Sequence, residues 1–195
     1  MKKLVLAALT IASVTGITST SAIAANEMYV LGGVGMDSGD VGGQFTLGSQ
    51  IAQSNWYVES TLLAISINDK SGFLDHNNDP ITRNEDFDSL IVSLAPMYKH
   101  NLNEAFAIYG KLGAFYTHSD TKLTYNTSKG DEIHKGSHGN FGLTYGIGAE
   151  YKSSKPLFGN SKLLTRLGFD WYELGGSNDW YTKETTLGIQ TGFTF

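Results

Sequence analysis

The chain has 195 residues, of which 14 are lysine or arginine and 19 are aspartate or glutamate, and it contains no cysteine. An acidic chain of this composition repels the phosphate backbone of nucleic acid, so we expect no nucleic-acid partner. Without cysteine no disulfide can stabilise the fold, which must depend on a protein core or on surrounding lipid.

The N-terminal segment has the layout of a secretory signal. Two lysines precede an apolar stretch at residues 4–14, and Ala22 and Ala24 form the small-residue pattern that a signal peptidase accepts. No cysteine follows that stretch, which excludes a lipoprotein anchor. We predict that residues 1–25 are a cleaved signal peptide and that residues 26–195 form one exported domain.

After the signal, the chain consists of short segments in which apolar and polar residues alternate. Glycine, serine and asparagine separate these segments and proline is scarce, which is typical of an all-β chain. Their lengths approach the roughly 9 to 11 residues that a tilted strand needs to cross a bilayer, and no apolar run reaches the roughly 20 residues of a membrane-spanning helix. The eight predicted strands are 28–36, 43–51, 56–67, 89–99, 105–118, 140–151, 162–173 and 181–195.

The alternation puts the charged residues of the strands on one face. In the last strand, Leu187 and Ile189 alternate with small or polar residues. In the seventh strand, Leu167 falls on the face opposite Arg166 and Asp170. A basic residue that faces lipid near the membrane midplane would cost about 2 to 4 kcal/mol, so we expect the charged face to point into a barrel and the apolar face to point into lipid.

The connections between the predicted strands alternate in length. Short turns at 52–55, 100–104 and 153–160 are separated by longer, charged connections, of which 68–86 and 119–138 are the longest. Transmembrane barrels place short turns in the periplasm and long loops outside the cell. The sequence therefore predicts an all-β fold, an eight-stranded antiparallel up-and-down transmembrane β-barrel. Aromatic residues at the strand ends suit the interfacial girdles of such a barrel: Trp56, Tyr98, Tyr116, Tyr151, Trp180 and Tyr181.

Three stretches, at 95–116, 141–151 and 163–173, together with the terminal GFTF, carry a family resemblance. The first contains IYGKLG, which fits an Ile-Tyr-x-basic-Leu-Gly strand pattern. The chain resembles the small eight-stranded outer-membrane barrels of bacteria, the OmpA transmembrane domain and OmpX. The resemblance implies the outer membrane of a Gram-negative bacterium as the location. We expect the chain to be closer to OmpX, because no peptidoglycan-binding domain follows the barrel.

The resemblance also implies an ionic network inside the barrel. Glu59, Glu150 and Arg166 match the acids of the third and sixth strands and the base of the seventh strand in that network. Lys111 matches an inward basic position on the fifth strand, and the alternation adds Asp170 to the interior. Buried charges need partners whatever their role, so we expect a lumen held together by salt bridges.

The fourth strand departs from the family pattern. The network lysine of that strand has no clear match, because Ala95 or Met97 occupies the interior and Lys99 is expected nearer the rim. Gating by the network is therefore not carried over to this chain. At the C-terminus, Phe193 and Phe195 resemble the signature that the outer-membrane assembly machinery recognises.

The chain offers weak candidates for catalysis or metal binding. His118 and Ser119 are adjacent, but neighbours on a strand point to opposite faces. Residues 75–86 resemble a calcium loop, yet Pro80 stands where that loop needs glycine and Asp86 where it needs glutamate. His134 and His138 could share a metal, but a glycine-rich loop is a poor frame for one. We therefore expect no catalytic residue, no metal site and no cofactor.

The favoured function is a structural and surface-interaction role, in envelope integrity or in adhesion through the loops at 68–86 and 119–138. A narrow or gated pore is the alternative, and a lipid A-modifying enzyme is the third hypothesis. The expected partners are outer-membrane lipid and lipopolysaccharide, the assembly machinery, and host or surface ligands of the loops. We expect a monomer.

Overall fold

The computed structural model describes residues 26–37, 40–74, 80–127, 130–174 and 183–195. The predicted signal peptide lies outside these residues, as do Trp180 and Tyr181 of the predicted girdle. The described chain forms eight strands in sequence order: β1 (Met28–Asp37), β2 (Asp40–Gln50), β3 (Trp56–Leu74), β4 (Pro80–Asn101), β5 (Phe106–Thr127), β6 (Gly130–Lys152), β7 (Lys162–Leu174) and β8 (Lys183–Thr194).

The strands close into a barrel in which each strand pairs antiparallel with its sequence neighbour. Closure comes from pairing of β1 with β8, from Tyr29 opposite Thr194 to Met36 opposite Leu187. Phe195 continues this pairing, because its backbone N–H donates to the carbonyl of Met28 at 2.8 Å. The predicted fold class is confirmed, and closure leaves neither terminal strand with an unpaired edge along the ladder.

No helix in the part of the chain that the structure describes is long and apolar enough to span a membrane.

Burial alternates along the strands as the sequence predicts. On β2, residues from Val41 to Gly48 alternate between exposed or half-exposed and buried positions. The outward set is apolar and the inward set is largely polar, and Leu94, Leu112 and Ile147 are examples of apolar side chains more than half exposed. A barrel that turns its apolar residues outward needs lipid around it.

Aromatic pairs mark the two borders of the lipid-facing band. Near the short turns, the rings of Phe106 and Tyr151 lie 5.2 Å apart, and at the other border those of Tyr116 and Phe141 lie 4.8 Å apart. Strand β5 contains both Phe106 and Tyr116, ten residues apart. At about 3.4 Å per residue and a tilt of about 40°, this distance corresponds to about 26 Å, close to the roughly 25 Å apolar band of outer-membrane barrels.

The strands differ greatly in length, and this corrects the predicted loops. Strands β3 to β6 have 19 to 23 residues, whereas β1, β2, β7 and β8 have 10 to 13. The prediction that 68–86 and 119–138 are loops is wrong for most of both segments, because the described parts are paired strand up to Leu74 opposite Pro80 and Thr127 opposite Gly130. We call this extension, residues 65–74, 80–89, 119–127 and 130–138, the projecting sheet.

In the part of the chain that the structure describes, the projecting sheet has two edges with no paired strand beside them. Pairing of β2 with β3 ends at Ala64, and pairing of β6 with β7 begins at Gly142. Among the described residues, β3 beyond Ala64 therefore pairs with β4 alone, and β6 before Gly142 pairs with β5 alone. The extension has four strands, and its β5 segment of nine residues is about 30 Å long at about 3.4 Å per residue.

Candidate functional site

Six charged side chains form a continuous chain of ion pairs inside the barrel. Three are acidic and three are basic, and they alternate from one end to the other. Because their formal charges cancel, these six side chains balance one another without a bound ion. The order of contacts is Lys99, Glu150, Arg166, Glu59, Lys111 and Asp170, and we call this set the ionic chain.

Arg166 is the centre of the ionic chain. Its guanidinium group forms ion pairs with both Glu59 and Glu150, and its Nε donates a further hydrogen bond to Glu150 at 2.9 Å. Arginine suits this place because its planar group carries five donors and can serve two carboxylates at once. Glu59 and Glu150 lie on β3 and β6, so Arg166 links three parts of the barrel wall.

The two lysines extend the ionic chain in opposite directions. Lys111 lies 2.8 Å from Glu59 and 3.0 Å from Asp170, and Lys99 lies 2.5 Å from Glu150. All of these side chains are at most 6% exposed. The five residues that the sequence indicated, Glu59, Lys111, Glu150, Arg166 and Asp170, are thus brought together by the structure.

Lys99 is the residue that sequence reasoning missed. It was expected nearer the rim, but its long side chain reaches back into the lumen to Glu150 and lies over the ring of Tyr57 at 4.3 Å. Lys99 shares the inward set of β4 with Met97, which is fully buried. The odd-numbered alternation of β4 was the available signal, and it places Lys99 on the same face as Ala95 and Met97.

Two apolar clusters enclose the ionic chain. Strand β7 shows the order: Leu164 belongs to one cluster, Arg166 and Asp170 follow, and Tyr172 belongs to the other cluster. On β3 and β5 as well, a residue of the first cluster is followed by a residue of the ionic chain and then by a residue of the second cluster. The cluster on the side of the short turns contains Tyr29, Leu31, Tyr57, Met97, Tyr109 and Leu164, and the cluster on the side of the projecting sheet contains Leu63, Ile65, Ile91, Phe115 and Tyr172.

Aromatic rings of the first cluster also contact the ionic chain directly. The Tyr29 hydroxyl donates to Glu59 Oε2 at 2.7 Å, which satisfies a polar atom that would otherwise be buried alone. The Arg166 guanidinium lies 4.9 Å from the ring centroid of Tyr29 and 4.7 Å from that of Tyr109. A cation is attracted to the face of an aromatic ring, and the attraction is stronger in a desolvated site. The aromatic rings of the cluster therefore stabilise the charge of Arg166 in the ionic chain.

Small residues make room for these rings. A side chain added at Gly148 would lie 2.4 Å from the Tyr109 hydroxyl and 2.4 Å from the Leu167 carbonyl oxygen. We expect Gly148→Ala to lower the free energy of unfolding by about 1 to 3 kcal/mol through overpacking. Urea titration of the protein in lipid vesicles measures this. The control is Gly43→Ala, whose Cβ meets nothing within 4 Å, and equal destabilisation by both would contradict the packing argument.

The lumen opens toward the side of the short turns. A cavity of about 580 Å³ there is lined by residues of the β4–β5 turn and by residues of β6 and β7, and it reaches Lys99 and Glu150. Near this end, Lys152 is paired with Glu27 at 3.0 Å. The cavity stops at the Lys99–Glu150 ion pair, beyond which the inward side chains are buried.

The two candidate catalytic residues, His118 and Ser119, point to opposite faces of β5, as the sequence predicts for neighbours on a strand. His118 points outward and is half exposed, and its Nε2 lies 3.4 Å from Ser137 Oγ and 3.7 Å from Asp120 Oδ1. In a Ser-His-Asp relay the hydroxyl and the carboxylate must use different ring nitrogens, and here both approach the same one. Ser119 lies instead beside Ser89 and Thr117, and its Oγ is 3.1 Å from the Oγ of Ser89.

The candidate metal ligands of the sequence do not form a cluster in the described part of the chain. Residues 75–79 of the calcium-like segment lie outside the described residues. The ring of His134 contacts that of Tyr125 at a centroid distance of 6.1 Å. No group of three or more histidine, aspartate or glutamate residues among those described is arranged to hold a metal ion.

A closed eight-stranded barrel with an apolar outer band, aromatic borders and a charged interior defines an integral membrane β-barrel. The family model of the outer membrane protein beta-barrel domain matches residues 5–195, and the chain belongs to that family. It is a protein of the Gram-negative outer membrane, and its resemblance to the small eight-stranded barrels is confirmed.

Solved structures with the same fold include a major outer membrane protein from Thermus thermophilus, at 17% identity and a TM-score of 0.58, covering 88% of this chain and 100% of that one. The outer membrane protein OprG from Pseudomonas aeruginosa is 16% identical with a TM-score of 0.50, covering 87% and 95%. The N-terminal barrel domain of Pseudomonas aeruginosa OprF is 14% identical with a TM-score of 0.50, covering 87% and 98%. At these identities the likeness is one of fold alone.

A comparison with curated proteins finds no match.

Proposed function

We propose that this protein is a structural surface protein, in which a sealed barrel anchors the projecting sheet outside the outer membrane for contact with other molecules. The observation that carries the proposal is the continuous pairing of β3 to β6 well beyond the lipid-facing band. A paired sheet holds its outer positions in fixed geometry, whereas a loop of the same length is more mobile.

The form of the projecting sheet suits an interaction role. Its edges on β3 and β6 pair with no further strand among the described residues, and sheet edges of this kind accept an added strand. Its β6 side is polar and open: residues from Gly130 to Gly139 are all exposed. Loops and edges on a rigid scaffold are where binding surfaces usually lie.

A pore is the second candidate, and the ionic chain favours it. Charged side chains in a membrane barrel often line an ion path, and the cavity on the short-turn side leads water to Lys99 and Glu150. The two apolar clusters argue against an open path through the rest of the lumen. An enzymatic role is the least supported, because His118 does not present separate nitrogens to Ser137 and Asp120.

The test of the proposed function is a variant in which short turns replace 68–86 and 119–138. We expect the trimmed barrel to assemble, because the pairing that closes it lies outside both segments. Cells that carry the trimmed protein should lose the attachment to host-cell or abiotic surfaces that the full-length protein confers. Faster migration of the unboiled sample on a gel checks that the trimmed barrel is folded and present.

The proposal has two forms, a role in envelope integrity and a role in attachment. Detergent resistance of the same cells measures envelope integrity and so separates the two. Loss of attachment with unchanged resistance supports an interaction role of the projecting sheet. Equal attachment of cells with the full-length protein, with the trimmed protein and without either would overturn that role.

A further inference from the structure

The β6 edge of the projecting sheet carries its charges in a particular order. Two acidic residues, Asp131 and Glu132, lie toward the tip, and His134 and Lys135 lie toward the membrane, with Ile133 between the two pairs. All of these residues are exposed, Ile133 by 55%. Among the described residues, this part of β6 pairs with β5 alone. A strand added at this edge would therefore meet an acidic half and a basic half.

The charges of the edge are not balanced within the part of the chain that the structure describes. Asp131 and Lys135 form no ion pair with any described residue. Strand pairing places Lys135 directly opposite Lys122, which already has Asp86 opposite it on β4 at 3.9 Å. Like charges directly opposite destabilise a sheet. An acidic group on the open side of Lys135 would offset this repulsion.

A second, antiparallel copy of the same segment supplies the missing partners. In a two-fold symmetric pair centred on Ile133, residues equally far from Ile133 on either side lie opposite each other. Asp131 of each copy then lies opposite Lys135 of the other copy. Glu132 and His134 meet in the same way on the other face of the strands. Opposite charges directly across a strand pair stabilise it, so the segment is complementary to itself.

The direction of β6 decides where the second copy must be. From Gly130 at the tip, β6 runs toward the membrane. Two copies in one membrane would have parallel β6 strands, and symmetric pairing would then put Asp131 beside Asp131 and Lys135 beside Lys135. A copy in a facing membrane has its β6 running the opposite way. Only this second arrangement brings unlike charges together.

We propose that the β6 edge pairs antiparallel with the same edge of a second copy on a facing cell, so that the protein joins two outer membranes. This inference rests on the proposed surface role and names the partner of the projecting sheet. Backbone hydrogen bonds along residues 131–135 hold the pair, and the two Asp131–Lys135 contacts fix its register. One contact of this length is weak, but many copies on each cell act together.

The height of the edge sets the distance between the two membranes. On β6, Ile133 lies eight residues from Phe141, which marks the border of the lipid-facing band. At about 3.4 Å per residue, the centre of the pair lies about 27 Å along the strand from that border, so facing borders are about 54 Å apart at most. The test therefore uses cells with short surface polysaccharide, whose outer membranes can approach to this distance.

The test exchanges the charges of the edge. Asp131→Lys leaves lysine at both positions of the ion pair, and Lys135→Asp leaves aspartate at both. Cells that display either variant alone should lose the aggregation of cells that display the wild type. A mixture of the two should aggregate again, because each contact between the variants joins a lysine to an aspartate. The two populations carry different fluorescent labels, and microscopy counts the clusters that contain both.

The matched control is Asp69→Lys, which makes the same change of charge at an exposed position on the β3 edge of the same sheet. Cells with this variant should aggregate like cells with the wild type, because the β6 edge is unchanged. Unboiled gel migration and surface labelling check that each variant is folded and displayed in equal amount.

Several results would overturn self-pairing. Wild-type cells that stay dispersed, or Asp131→Lys cells that aggregate as the wild type does, would exclude the β6 edge as the contact. Mixed variants that stay dispersed would exclude charge pairing between copies. Clusters of wild-type cells with cells that lack the protein would assign the edge to another partner.

Attachment to host-cell and abiotic surfaces is measured separately on the same cells. Attachment that persists in a variant without aggregation leaves the proposed function standing, so the proposed function and self-pairing can fail separately.

Discussion

Replacing Arg166 with alanine is expected to lower the free energy of unfolding by about 3 to 5 kcal/mol, the usual cost of breaking a buried ion pair from one side. Arg166 serves both Glu59 and Glu150, and each of these carboxylates is at most 3% exposed. Without the guanidinium group, Glu59 keeps Lys111 and Tyr29 as partners, and Glu150 keeps Lys99. The ionic chain would then carry one uncompensated negative charge in the lumen.

The measurement is equilibrium unfolding in urea with the protein in lipid vesicles, followed by tryptophan fluorescence and by gel migration of unboiled samples. Arg83→Ala is the matched control. Arg83 also pairs with a glutamate, Glu85 at 2.6 Å, but the two side chains are 40% and 30% exposed. Ion pairs of that kind contribute about 0 to 1 kcal/mol, so this variant should unfold almost like the wild type.

A further variant distinguishes charge imbalance from loss of packing. Arg166→Met combined with Glu59→Gln removes one positive and one negative charge and leaves the lumen neutral. This double variant should recover a large part of the stability that Arg166→Ala loses, because replacing a buried ion pair by groups of similar volume is often tolerated. Equal stability of Arg166→Ala and Arg83→Ala would contradict the central place of Arg166.

The barrel itself could be predicted from the sequence because one physical requirement governs all its strands. Lipid accepts apolar side chains and rejects charges, so each strand must alternate, and an outward charge would be costly. The alternation of Leu187 and Ile189 with Gln190 was enough to place the last strand. The same rule placed Arg166 and Asp170 inside before any contact was known, and the structure has both inward and buried.

The projecting sheet could not be predicted by that requirement, since most of it lies beyond the lipid-facing band. A strand in water does not need one apolar and one polar face. Segments such as TKLTYNT therefore indicate a strand only through their composition, here the β-favouring threonine and tyrosine residues. The charge and asparagine content of these segments predicted loops. In the structure, residues Thr82 to Ser89 of β4 instead pair with β5. Pairing between distant segments depends on both partners, so it cannot be read from the residues of one segment alone.

The contacts within the lumen show a second limit. Alternation states which face a residue occupies, but the reach of a long side chain decides its partner. Lys99 lies near the end of β4, yet its amino group enters the lumen to meet Glu150. Conversely, the glycines at 148 and 168 carry no chemical signal of their own. The position of the Tyr109 ring explains both, together with the Leu167 carbonyl oxygen at Gly148.

A folded wild-type barrel is expected to conduct no steady ion current in a planar bilayer, and Arg166→Ala is expected to remain silent as well. The reason is that three successive layers of side chains block the lumen. They are the ionic chain and the apolar cluster on each side of it. Removing the Arg166 side chain opens space in the middle layer only. Water that enters from the short-turn side would still meet Leu63 and Ile91, which are fully or almost fully buried.

The recording compares wild type, Arg166→Ala and the Arg83→Ala control at matched amounts of folded protein. Silence in all three, with gel migration proving that the barrel is folded, supports a sealed anchor and directs the search for function to the projecting sheet. Current steps in the wild type that change in Arg166→Ala but not in Arg83→Ala would mean that the ionic chain gates a path. The apolar clusters would then have to move aside during opening, and the pore would replace the surface role as the function of the barrel.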